Sequence, residues 1–137
     1  MASAETSPAP SSANGVLITL RVFALITAIA SIVQAVLGLY LRTAPSFHWH
    51  SIVAMIALVT SVVAAVAAFL WSRRSGNKGL FMHAVSVPVI GLIQFALGEM
   101  SVTMVHILLG FVFLLDAVAL VTLAFRKPGV SRPSATV

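Results

Sequence analysis

The chain has 137 residues, of which 60% are hydrophobic and only 8% are charged, and its formal net charge is +5. A soluble domain carries about a quarter charged residues, so this composition excludes a water-covered globular surface and indicates lipid around most of the chain. The basic residues lie at the ends of apolar segments and in one loop, which is typical of membrane topology and not of nucleic-acid binding. The sequence contains no cysteine, which excludes disulfides and thiolate chemistry.

The first residues, 1–15, contain mostly Ala, Ser and Pro, and we predict a disordered tail there. The tail has no basic start of the kind that a signal peptide needs, so we expect it to be retained. Four apolar segments follow, at 16–41, 50–71, 79–98 and 102–125. A helix needs about 20 apolar residues to cross a bilayer, and helices satisfy their own backbone in lipid. The sequence therefore predicts an all-α membrane protein with one transmembrane domain over 16–126 and a basic tail at 127–137.

Short connections between the segments force neighbouring helices to run antiparallel, so the predicted fold is an antiparallel four-transmembrane-helix bundle. Arg42 and Glu99 are the only charged residues at one end of this bundle. Six basic residues mark the other end, in the middle loop and the C-terminal tail: Arg73, Arg74, Lys78, Arg126, Lys127 and Arg132. The positive-inside rule predicts a multi-pass protein of the cell inner membrane with the middle loop and both termini in the cytoplasm.

A short motif of glutamine, leucine and glycine occurs twice, as IVQAVLG at 32–38 and as LIQFALG at 92–98. A histidine follows in each half, His50 at the start of the second helix and His106 near the start of the fourth. We interpret the bundle as two helical hairpins that are parallel repeats, related by a pseudo-twofold axis along the membrane normal. This repeat predicts that His50 and His106 lie at similar depth near the outer face.

Two histidines at one level on facing helices can occupy both axial positions of a haem iron. Small residues near that level leave room for a porphyrin, two glutamines can orient a cofactor edge or a ring nitrogen, and an arginine can pair with a propionate. The alternative is that the histidines only form interhelical hydrogen bonds, and zinc is less favoured because Glu99 is the only carboxylate nearby. The predicted cofactor-binding residues are His50, His106, Gln34, Gln94, Arg42, Gly38, Gly98 and Gly110, with His50 and His106 as ligands of haem b iron.

This order of residues resembles one four-helix half of the haem A synthase family, over residues 30–125, and is similar to small four-helix membrane proteins of actinobacteria. The resemblance implies haem bound by paired histidines on the second and fourth helices, towards the outer side. It extends to His50 and His106 only, and it does not extend to synthase activity, because the segment FHWHSIV around His50 has no acidic residue. The matching residues are Gln34, Leu37 and Gly38 before His50, and Gln94, Leu97 and Gly98 before His106.

Asp116 lies deep in the fourth segment, about 13 Å from its inner end at about 1.5 Å per residue. A charge there is expensive and needs a partner or a proton. We predict Arg21 of the first segment as the partner in a buried polar pair, which His83 could join. A structural clasp between the first and fourth helices is favoured over a proton-handling or quinone-adjacent site.

The leading functional hypothesis is an integral membrane haem-binding protein in electron transfer or haem handling. The alternative is a non-enzymatic accessory or assembly subunit of a larger membrane complex, and a homo-oligomer is compatible with either. The sequence shows no nucleophile motif and no phosphate-binding loop, which weighs against an enzyme without excluding one. A transporter or channel has weaker support, and the expected partners are the lipid bilayer and a membrane-protein complex.

Overall fold

A computed structural model describes the protein at residues 12–40 and 47–130, with side chains described from Asn14 and from His48 onward in these two ranges. It contains four helices in this part of the chain: α1 (Ser12–Tyr40), α2 (Phe47–Ser75), α3 (Lys78–Glu99) and α4 (Thr103–Arg126). All four are long and apolar enough to cross a membrane. The prediction of an all-α protein with four membrane helices is confirmed.

The helices extend beyond the predicted apolar segments at several ends. α1 begins at Ser12 and not at residue 16, and α2 continues to Ser75, so Arg73 and Arg74 lie in its last turn and not in a loop. Hydropathy marks only the part of a helix that lipid covers, whereas the hydrogen-bonded backbone continues into the polar region. The two arginines also interact favourably with the negative end of the α2 dipole.

The four helices form a bundle in which each helix packs against two others. α1 contacts α2 and α4, and α3 also contacts α2 and α4, while α1 and α3, like α2 and α4, face each other across the diagonals of the described bundle. α3 runs without interruption through Pro88. Because α2 and α4 share no interface, their side chains can contact each other only across the centre of the bundle.

Small side chains fill the interior of the bundle, and large apolar side chains cover its outside. Leu115 is 69% exposed and Leu108 is 61% exposed, as expected for side chains that face lipid. Membrane helices associate by close packing and not by excluding water, which favours small residues between them. Residues with no exposed surface include Ala24, Ala64, Ala68, Ala84, Ala117, Leu20 and Leu120.

The two ends of the bundle differ in chemistry, and we name them by their residues. The histidine end holds His50 and His106, with the chain reversal between α3 and α4. The basic end holds the reversal between α2 and α3 together with the segment after α4. There the Asn77 side chain accepts a hydrogen bond from the Leu80 amide at 3.0 Å and donates to the Lys127 carbonyl at 2.9 Å. Asn77 therefore caps α3 and attaches the chain after α4 to it.

Candidate functional site

His50 of α2 and His106 of α4 meet across the centre of the bundle. Their ring centroids lie 6.1 Å apart, and the ring planes are inclined by 61°. α2 and α4 lie on a diagonal of the bundle and do not pack against each other, so the two rings meet in its centre and not at a helix–helix interface. The structure therefore places the two predicted ligands side by side near the bundle axis.

His106 is held by two hydrogen bonds that it shares with Gln94 of α3. The Gln94 amide nitrogen Nε2 donates to the His106 carbonyl at 2.7 Å, and His106 Nδ1 lies 3.0 Å from the Gln94 carbonyl oxygen. A carbonyl oxygen can only accept, so this contact puts a proton on Nδ1. In a neutral imidazole, Nε2 then carries the free lone pair, which is the form that binds a metal.

The glycines of the repeated motif lie directly against these polar side chains. A Cβ atom on Gly98 would come within 3.1 Å of His106 Cε1, and one on Gly110 would come within 2.9 Å of Gln94 Nε2. In the first hairpin, a Cβ on Gly38 would lie 3.8 Å from His50 Cε1. The space that these glycines leave is used by the histidine and glutamine side chains themselves. Gly98 and Gly110 were predicted to leave room for a porphyrin, but in this arrangement the space beside them holds His106 and Gln94.

Three buried polar atoms at this end have no hydrogen-bond partner among the described residues: Gln34 Oε1, Gln94 Oε1 and His50 Nδ1. An unsatisfied buried polar group costs about 1–3 kcal/mol, so natural structures keep few of them without a reason. All three belong to residues that the sequence predicted as cofactor-binding. Each of the three atoms is free to bond a ligand or an ordered water at this end.

Two neutral imidazoles are a ligand set that a haem iron could take. His50 and His106 would hold the iron, and Gln34 and Gln94 would lie beside the macrocycle. His106 and Gln94 fill the space beside Gly98 and Gly110, so side chains at this end would have to shift for a porphyrin to fit. Arg42, the predicted propionate partner, lies outside the described residues.

Asp116 forms its contacts with α3, and the predicted pairing with Arg21 is wrong. His83 Nε2 lies 3.3 Å from Asp116 Oδ1 and 3.1 Å from the Asp116 carbonyl, and the Ser86 hydroxyl lies 2.9 Å from Asp116 Oδ2. Arg21 instead donates from Nε to the Ala124 carbonyl at 3.0 Å. Ala124 is eight residues beyond Asp116, about 12 Å along the helix, so Arg21 is held near the basic end.

Sequence reasoning named His83 as a third member of this cluster and missed Ser86. The spacing of three residues between His83 and Ser86 places both on one face of α3, which was the available signal. The polar clasp therefore joins α3 to α4 and not α1 to α4. Asp116 follows His106 by ten residues, so the clasp lies about 15 Å along α4 from His106, towards the basic end.

Fold and site together define a class: a multi-pass α-helical membrane protein with two opposed histidines near one end of its bundle. Comparison with models of protein families, with curated proteins and with solved structures found no match. The geometry of the histidine end is therefore the basis on which a function is proposed.

Proposed function

We propose that this protein binds haem b between His50 and His106 and serves in electron transfer or haem handling. The observation that carries the proposal is the pair of imidazoles that meet edge-on across the bundle with centroids 6.1 Å apart. The hydrogen bond from His106 Nδ1 to the Gln94 carbonyl supports it, since such a bond orients a metal-binding imidazole. Bound haem would supply one-electron chemistry, while the protein residues supply ligands, orientation and an apolar surrounding.

The proposal includes the interpretation of the bundle as two parallel repeats. Gly38 and Gly98 support this interpretation, because a Cβ atom on either glycine would meet the histidine of its own hairpin within 4 Å. The buried oxygens of Gln34 and Gln94 correspond in the same way. A pseudo-twofold axis would place an iron between equivalent ligands, as the resemblance to a half of the haem A synthase family also implies.

Orientation in the membrane is also part of the proposal. The charges of Arg73, Arg74, Lys78 and Arg126 favour the basic end on the cytoplasmic side of a cell inner membrane. The histidine end would then lie towards the outer face. A haem there would be placed to exchange electrons or haem with a partner on that side.

An absorption spectrum of the purified protein tests the haem proposal directly. We expect Soret and α bands in the reduced-minus-oxidised spectrum after expression with ample haem. His106→Ala and His50→Ala should each abolish the low-spin bis-histidine spectrum, because each removes one axial ligand. His48→Ala is the matched control, since His48 is exposed at the same end of α2 and should leave the spectrum unchanged.

A folded protein without these bands under those conditions would contradict the proposal. The alternative of an accessory or assembly subunit would then be preferred, and it makes its own prediction. Under that alternative, a larger membrane complex co-purifies with the chain, and the His50→Ala and His106→Ala variants retain that complex.

A further inference from the structure

The middle of the bundle holds a titratable group that the proposed function does not use. Asp116 is 13 residues from Thr103 and ten from Arg126, which places it about 15–20 Å from either end of α4. Its side chain is only 13% exposed. A carboxylate at such a depth is stable only with a counter-charge, strong hydrogen bonds or a proton.

The groups around Asp116 restrict how its charge can be balanced. On α3 they are His83, which contacts it, and Lys78 at the basic end. On α1 the nearest charge is Arg21, whose guanidinium is bonded to the Ala124 carbonyl and lies over the Phe125 ring. The sequence of α2 has no titratable residue between His50 and Arg73. No permanent positive charge is paired with Asp116 among the described residues, and there only His83 and Ser86 form an ion pair or hydrogen bond with its carboxyl group.

The Ser86 hydroxyl can serve both protonation states of Asp116. Its oxygen lies 2.9 Å from Asp116 Oδ2 and 2.6 Å from the His83 carbonyl, but it has a single hydrogen to donate. When Asp116 is ionised, that hydrogen points to Oδ2. When Oδ2 carries a proton, the carboxylic acid donates to Ser86 Oγ and the Ser86 hydrogen turns to the His83 carbonyl. His83 can donate from Nε2 to Oδ1 in either state.

We propose that Asp116, Ser86 and His83 form an intramembrane proton-binding site in which Asp116 Oδ2 takes up a proton from the basic end. His83 lies five residues after the start of α3 at the basic end, about 8 Å along the helix, and its side chain is 25% exposed. It therefore lies between Asp116 and the water at that end. Uptake forms one O–H bond on Asp116 Oδ2 and breaks one O–H bond of a hydronium ion in the water at the basic end. The site does not require haem, so it is independent of the proposed function.

Infrared difference spectra of the protein in phosphatidylcholine nanodiscs, without added haem, test this site. When the pH of the sample is lowered, we expect a carbonyl band of a protonated carboxylic acid to appear. Asp116→Asn should remove this band. Ser86→Ala should shift the band to higher frequency, because the acid loses its hydrogen-bond acceptor. Thr122→Ala is the matched control, since its hydroxyl is exposed and bonds only to its own helix at the Val118 carbonyl.

Absence of any pH-dependent band sensitive to Asp116→Asn would overturn the proposal, because Asp116 would then keep one charge throughout. A band that Ser86→Ala leaves unmoved would also overturn the assigned partner of the proton. If Asp116→Asn fails to fold, the band frequencies of Ser86→Ala and Thr122→Ala still test the proposal, because both variants retain the Asp116 carboxyl group.

Discussion

Gln94 and His106 bind each other twice, each through its side chain to the backbone carbonyl of the other. This reciprocal pair locks α3 to α4 at the histidine end and sets both the position and the tautomer of the His106 ring. Gln34 matches Gln94 in sequence, but it forms no such pair among the described residues, and its Oε1 atom is buried without a partner. The two hairpins are therefore alike in sequence and different in their hydrogen bonding.

This difference predicts unequal effects for two matched substitutions. Gln94→Leu should be less stable than Gln34→Leu by about 1 kcal/mol, because both lose a buried oxygen without a partner but only Gln94→Leu loses the bond to the His106 carbonyl. Gln34→Leu should be neutral or stabilising, because it removes a buried oxygen that has no partner. Thermal unfolding in detergent, followed by circular dichroism, measures both. Equal stabilities of the two variants would show that the bond from the Gln94 side chain to the His106 carbonyl adds nothing.

The glycines next to the histidines should differ in their tolerance of a methyl group. Gly98→Ala would place a Cβ 3.1 Å from His106 Cε1 and should displace the ring, whereas Gly38→Ala meets His50 Cε1 at an ordinary 3.8 Å. We expect Gly98→Ala to lower the melting temperature and, if haem binds, to weaken its retention. Gly38→Ala should resemble the unmodified protein in both measurements. A Gly98→Ala variant with unchanged stability would mean that His106 moves freely.

The contacts of Asp116 predict which residues depend on each other energetically. Asp116→Asn and His83→Gln should be non-additive, with a coupling of about 1 kcal/mol, because the two side chains are in contact. Asp116→Asn and Arg21→Gln should be additive within about 0.5 kcal/mol, because Arg21 bonds to the Ala124 carbonyl instead. Double-mutant cycles from unfolding in detergent give both numbers. Strong coupling of Asp116 to Arg21 would contradict the contacts of the structure and support an ion pair between these two residues.

The basic end is held by Asn77, and its two functions can be separated. Asn77→Ala should destabilise the protein by about 1 kcal/mol or more, since it removes the α3 cap together with the donors to the Lys127 and Pro128 carbonyls. Asn77→Asp should lose less, because its carboxylate still caps the Leu80 amide. Unfolding midpoints of the three proteins should therefore follow the order unmodified, Asn77→Asp, Asn77→Ala. Equal midpoints of the two variants would assign the stabilisation to the Nδ2 donors, which both variants lack.

The absence of natural cysteine allows a clean test of orientation. Met100→Cys lies at the histidine end and Val130→Cys at the basic end, and both positions are highly exposed. On intact cells, a membrane-impermeant maleimide should label Met100→Cys and leave Val130→Cys unlabelled until the cells are permeabilised. Labelling with the opposite pattern would place the histidine end in the cytoplasm.

Much of the fold was predictable because lipid imposes strong constraints on a chain. An apolar segment of about 20 residues in a bilayer has to be a helix, and short connections have to make neighbours antiparallel. The number of helices and their order were therefore predictable from the sequence. The spacing of Gln94, Gly98 and His106 also predicted that these residues share one level, because helical rise converts residue spacing into depth.

The sequence could not determine which way each helix faces, and the tertiary structure decided this. A soluble helix reveals its inner face by a polar outer face, but these helices are apolar on all sides, so sequence periodicity carries little information about rotation. For this reason the partner of Asp116 was predicted as Arg21 on α1, whereas the rotation of α3 presents His83 and Ser86. The same rotation and close packing decided that Gly98 and Gly110 accommodate His106 and Gln94.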